Sequence, residues 1–178
     1  MHGLGVQSGT RGYHSVMNEE LLHAQLRNHW IGATSGLQLF RRVAASHGLE
    51  DVAIRVRHLA DEVAADREAL RAIMRRVGAD TPTVMAELSK VGVLLGRLKP
   101  NGHLLTRSPL SDIFELEALR AAVVAKRSGF ELLRELVEDD PRLDADQLDE
   151  LIRRAAAQEA ELESLHLETG RVHLRDSA

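Results

Sequence analysis

Asp66 interrupts an otherwise apolar helical stripe. Val52, Val56, Leu59, Val63, Asp66, Leu70, Ile73 and Val77 recur at three- and four-residue steps, which keeps them on one helix face. A carboxylate in such a stripe is costly unless a cation, a hydrogen bond, a proton or a metal compensates it. Other polar residues break comparable stripes. His29 falls among Leu22, Leu26, Ala33, Gly36, Phe40 and Val43, and Lys126 or Arg127 separates Leu116, Leu119 and Val123 from Phe130, Leu133 and Val137. Glu159 follows Leu148, Ile152 and Ala155 and precedes Leu162, with Leu165 or His166, and Thr169. Glu62 stands one turn before Asp66, and His58 one turn before Glu62. Carboxylates and imidazoles gathered at mid-helix can hold iron, manganese or zinc. A lysine among them supplies a fixed positive charge instead, and needs no metal.

Four long helices must position these groups. The spacing predicts helices over residues 18–47, 49–77, 109–138 and from Asp144 to His173. Gly48 reads as a C-terminal cap, Asp112 with Glu115 as a capping box, and Asp144 with Gln147 as the cap of the last helix. The short break at Gly48 forces the first two helices antiparallel, and Asp139-Asp140-Pro141 does the same for the last two. Between the hairpins, residues 78–109 predict a shorter amphipathic helix carrying Val84, Leu88, Val91, Leu95 and Leu98, then a turn at Pro100-Asn101-Gly102. Such a connection spans the bundle end to end. His29 lies 19 residues before Gly48 and Asp66 18 after it, so the two should face each other. With the hairpin turns at opposite ends, Glu62, Lys126 and Glu159 reach nearly the same depth.

Composition bounds the rest. The chain of 178 residues suits one domain over 17–178, with residues 1–16 read as a disordered leader or an expression-derived segment. Aromatics are 3% of the chain, so Leu, Val, Ile and Ala must build the core, which favours helices. A net charge of −4 argues against nucleic acid, and no run approaches the roughly 20 apolar residues of a membrane span. The absence of cysteine excludes disulfides, thiolate metal sites and a cysteine nucleophile, and fits a cytoplasmic location. The paired arginines at 41–42, 75–76 and 153–154 read as solvated surface or salt-bridge partners, and His166 and His173 as solvated.

Two hairpins joined by a crossover, with Glu, Asp and His in the core, resemble the ferritin-like fold. The segments His29-Trp30-Ile31-Gly32-Ala33-Thr34-Ser35-Gly36, Gly96-Arg97-Leu98-Lys99-Pro100-Asn101-Gly102 and Glu115-Leu116-Glu117-Ala118-Leu119-Arg120 resemble an uncharacterised actinobacterial group of small helical proteins, over most of residues 18–173. The resemblance implies an all-α, ferritin-like four-helix bundle and no activity. A ferritin-like di-iron centre would require a Glu from one helix of each hairpin and Glu-x-x-His from the other. The first helix has no Glu between Glu20 and Glu50, and the residues three beyond Glu62 and Asp66 are Ala65 and Ala69. Only Glu163-Ser164-Leu165-His166 has the spacing, and it lies off mid-helix.

The expectation is therefore a non-catalytic structural or interaction protein, a homodimer without cofactor, in which Asp66 and Lys126 pair and hold the hairpins in register. The alternative is a metal-binding bundle using His29, His58, Glu62, Asp66 and Glu159 around iron, manganese or zinc for redox or hydrolytic chemistry. A third reading places a small ligand in space beside Trp30, Gly32 and Gly36, although close helix packing is the plainer use of those glycines.

Overall fold

Asn18 accepts the Leu21 N–H on its side chain at 3.1 Å and starts α1, Glu19–Ser46, with Glu19 and Glu20 set against the positive end of the helix dipole. The computed structural model describes residues 17–83 and 108–175. In these stretches α2 spans Glu50–Val77, α3 spans Pro109–Glu135 and α4 spans Ala145–His173, and no strand occurs among the described residues. Gly78 closes α2 at φ 79°, a left-handed position that glycine takes without strain. Ser108 caps α3 with Pro109 in its first turn, and Asp144 caps α4 by accepting from Gln147 N at 3.0 Å. The leader, the crossover helix and the Pro100 turn lie outside the described residues.

Each helix packs antiparallel to its neighbours in the order α1, α2, α4, α3. Arg42 reaches Glu115 at 3.6 Å across α1–α3, and Arg55 reaches Glu161 at 2.7 Å and Glu168 at 2.9 Å across α2–α4. At one end Arg142, in the α3–α4 turn, pairs with Asp140 and Glu19 and donates to the Val77 carbonyl, which also accepts from His23. That single guanidinium joins the start of α1, the end of α2 and the second hairpin turn. The first hairpin turn sits at the opposite end, beside the start of α3. The chain thus leaves α2 at one end of the bundle and enters α3 at the other.

Two expected caps serve other purposes. α1 ends through His47 in extended conformation, and Gly48 has no positive φ. A Cβ at Gly48 would fall 2.6 Å from Asp112 Oδ2, so glycine is needed there for close approach. Asp112 does not cap its own helix, because Ser108 already does. The carboxylate is buried and accepts from Gly48 N at 3.1 Å and from His173 Nε2 at 3.0 Å. His173 is therefore half-buried and bonded, against the expectation that it is solvated. α3 also stops three residues early, where Leu136 and Val137 bond back to Leu133 and Arg134 and tighten the last turn.

The apolar core forms two clusters. Phe40, Val43, Val52, Leu116, Leu119 and Leu162 belong to the one nearer Gly48, and Leu26, Trp30, Ile73, Phe130, Leu133 and Leu148 to the other. Burying those side chains is the main favourable term in the fold. No helix of the described residues is long and apolar enough to cross a membrane.

Asp112 makes a testable claim. Asp112→Ala leaves the Gly48 N–H and the His173 ring without their acceptor, and should lower the unfolding free energy by about 1–3 kcal/mol. Urea denaturation reads this directly, and an unchanged midpoint would refute it.

Candidate functional site

Between the two apolar clusters lies a layer of charge. Asp66 points inward from the middle of α2 and is 0% exposed. Lys126, from α3, donates to Asp66 Oδ2 at 2.5 Å, and its side chain is only 12% exposed. The same ammonium donates to Gln158 Oε1 on α4. Gln158 Nε2 returns hydrogen bonds to Asp66 Oδ2 at 3.1 Å and to Glu62 Oε2 at 3.0 Å. Arg154, one turn earlier on α4, brings its guanidinium to 2.7 Å from Asp66 Oδ1, as a charge contact without hydrogen-bond alignment. It also donates to the Glu62 backbone carbonyl at 3.3 Å. One buried carboxylate thus draws groups from two other helices.

The electrostatics follow from burial. Desolvation pushes the Lys126 ammonium below the ordinary lysine range, while the charge and hydrogen bond of Asp66 pull it back up. An ion pair of this kind is net favourable only when further hydrogen bonds support it, and Gln158 supplies one to each partner. His29 is also held below its usual value, by desolvation. Gln25 Nε2 donates to His29 Nε2 at 2.9 Å, an arrangement that requires the neutral ring with its proton on Nδ1.

The expected cluster of His29, Glu62, Asp66, Lys126 and Glu159 is brought together only in part. Asp66 and Lys126 meet. Glu62 is an exposed residue whose carboxylate reaches the layer through Gln158. Glu159 turns away and pairs with Arg127 at 2.5 Å and Arg120 at 3.7 Å. His29 and Asp66 line one cavity without a hydrogen bond between them, and the His29 ring lies against α3. A Cβ at residue 129 would fall 2.3 Å from His29 Cε1, so Gly129 provides the room. His58 is exposed. Trp30 belongs to the core, donating Nε1–H to the Pro82 carbonyl at 3.2 Å, with the Arg67 guanidinium 3.8 Å above its ring. Gly32 and Gly36 instead line a cavity between α1 and α3.

Gln158 and Arg154 were the missed members. Leu148, Leu151, Ala155, Gln158, Leu162 and Leu165 form the buried face of α4, whereas Ile152 and Glu159 stand one residue off it. Both sets satisfy three- and four-residue spacing, so choosing the neighbouring stripe substituted a glutamate for the glutamine. Arg154, expected on the surface or in a salt bridge, does form a salt bridge, but with the buried Asp66, and its side chain is only 30% exposed. The signal for both was Asp66 itself, which needed more than one partner.

These residues do not fit a carboxylate di-iron centre. An ammonium occupies Asp66, an amide stands at the matching depth of α4, and Glu159 is neutralised by arginine. Glu163 and His166 of the Glu-x-x-His segment bond Arg120 and Glu117 near the surface. Among the described residues no three of His, Asp and Glu gather in a way that could hold a metal ion, including the set His29, His58, Glu62, Asp66 and Glu159.

Removing the ammonium should expose what the pair contributes. Lys126→Met leaves a buried carboxylate short of its main partner and should cost about 3–5 kcal/mol of unfolding free energy. The double variant Lys126→Met, Asp66→Leu should recover much of that loss in chemical denaturation. A single variant as stable as the parent would refute the pairing. His29 gives a pH signature. Its folded value lies below the unfolded value of about 6.5, so the unfolded chain takes up its proton first as pH falls. The stability present above that value is lost on acidification toward pH 5, and the loss should be smaller in His29→Gln; equal slopes would contradict the assignment.

Comparison of the chain with protein-family models, with curated proteins and with solved structures returned no match, so a reading of function rests on this geometry.

Proposed function

We propose that this chain is a non-catalytic bundle of ferritin-like topology, working in the cytoplasm as a structural or interaction protein paired with a second copy of itself. One observation carries the reading: the Lys126 ammonium is seated on Asp66, where a ferritin-like centre would gather carboxylates around iron. An ammonium held between a carboxylate and an amide offers no open coordination position for an oxidant or a water. The direction of the helices supports the topology, since a chain that leaves α2 at one end and enters α3 at the other is what a single long crossover produces.

Exposed apolar side chains support the interaction reading. Leu110 and Phe114 in the first turns of α3, with Leu167, Val172 and Leu174 at the end of α4, lie at one end of the bundle. Apolar surface gathered in this way favours contact with another chain.

Elemental analysis of protein purified without chelator tests the first half of the reading. Parent and Asp66→Ala should both lack stoichiometric iron, manganese and zinc; a stoichiometric metal that disappears in the variant would overturn it. Sedimentation equilibrium tests the second half. The parent should be a dimer and Phe114→Glu with Leu167→Glu a monomer, whereas a monomeric parent rejects self-association.

A further inference from the structure

The seam between α1 and α3 encloses a cavity of about 290 Å³ beside the charged layer. Its walls are mostly apolar, with Leu26, Phe40, Val63, Leu70, Val123 and Phe130 among them. An apolar cavity of about 150 Å³ holds a benzene ring, so this one has about twice the needed room. It is also elongated. The α1 residues lining it run from Gln25 to Phe40, or about 20 Å at the helical rise. Asn28, Gly32 and Ala125 are exposed members of the lining and mark its opening.

Gly32 has no packing explanation. Gly129 makes way for the His29 ring, and a Cβ at Gly36 would make ordinary contact with Ala122 at 3.9 Å. A Cβ at Gly32 would meet nothing within 4 Å. Glycine weakens a helix interior relative to alanine, and here the loss leaves an open mouth.

The polar groups at the cavity favour an anion. Asp66, Lys126 and Arg67 are its charged lining residues. Asp66 is already opposed by Lys126 and, from behind, by Arg154. Arg67 is met by Glu68 at 2.8 Å and lies over the Trp30 ring, so the group left to receive an anion is the Lys126 ammonium. An ammonium has three hydrogens. Two go to Asp66 and Gln158, and the third has no partner among the described residues.

We propose that this cavity binds a medium-chain alkyl carboxylic acid, its chain along the α1–α3 seam and its carboxylate on the free N–H of Lys126. The inference does not depend on the reading above, because a bundle with or without self-association could hold such a ligand. The probes are octanoate, hexanoate and 1-octanol in isothermal titration calorimetry with the whole chain. Octanoate should bind saturably at one-to-one stoichiometry, about fifteenfold more tightly than hexanoate, as about 0.8 kcal/mol for each of two buried methylenes requires. It should bind at least tenfold more tightly than 1-octanol. Gly32→Leu, which fills the mouth, should weaken octanoate at least tenfold without lowering the melting temperature. Absence of saturable octanoate binding overturns the site, and equal binding of 1-octanol overturns the carboxylate. Undiminished binding by Gly32→Leu overturns the location; the chain-length comparison in the parent tests the proposal even if that variant does not fold.

Discussion

A carboxylate fully removed from water at mid-bundle constrains everything around it. Asp66 lies between two apolar clusters that could otherwise have merged into one core. Its charge has to be met there, by groups long enough to arrive from other helices. Lys126 comes from α3, and Arg154 and Gln158 come from α4. A one-turn slip of α3 against α2 would carry Lys126 about 5.4 Å along the axis and leave both charges stranded. Leucine stripes tolerate such slips far better, because one leucine can replace another. The polar layer therefore discriminates among registers that the apolar contacts leave nearly equivalent. Whether it adds net stability over an apolar substitute is a separate matter, and buried pairs often do not.

The sequence was most legible where it broke its own pattern. Asp66 among valines and leucines predicted a buried carboxylate, and Lys126 in a second stripe predicted its partner. Helix spans emerged nearly intact because prolines, glycines and capping residues punctuate them. What the pattern could not resolve was azimuth. Gln158 and Glu159 are neighbours about 100° apart on α4, and both continue a plausible stripe. Only the packed bundle shows that the amide turns inward and the carboxylate meets Arg127. The same limit hid Arg154, whose long stem lets its charge leave the surface.

Glycine roles were equally opaque, for a different reason. A glycine in sequence signals missing bulk without saying what uses the space. Gly48 looked like a helix cap but admits Asp112 from another helix, and Gly129 admits an imidazole. Both are relations between residues more than 60 positions apart, invisible to local spacing. Asp112 shows the converse. Its capping-box spacing with Glu115 was real, but Ser108 satisfied the helix first and freed the carboxylate for a tertiary bond.

Lys126 links the core's constraint to the open seam. The helices within each hairpin make far closer contact than α1 does with α3 or α2 with α4. The seam between hairpins is thus where space can persist, and Gly32 on α1 leaves it open. A cavity this apolar would normally carry no net charge on its wall. Here the register requirement of Asp66 brings an ammonium to that wall, already desolvated and held in place by Asp66 and Gln158. A group fixed in advance loses little freedom when it meets an anion, and so gives more of its interaction to affinity. The pairing that sets the bundle's alignment also preorganises an ammonium on the seam's wall, a group that can tell a carboxylate from an alcohol.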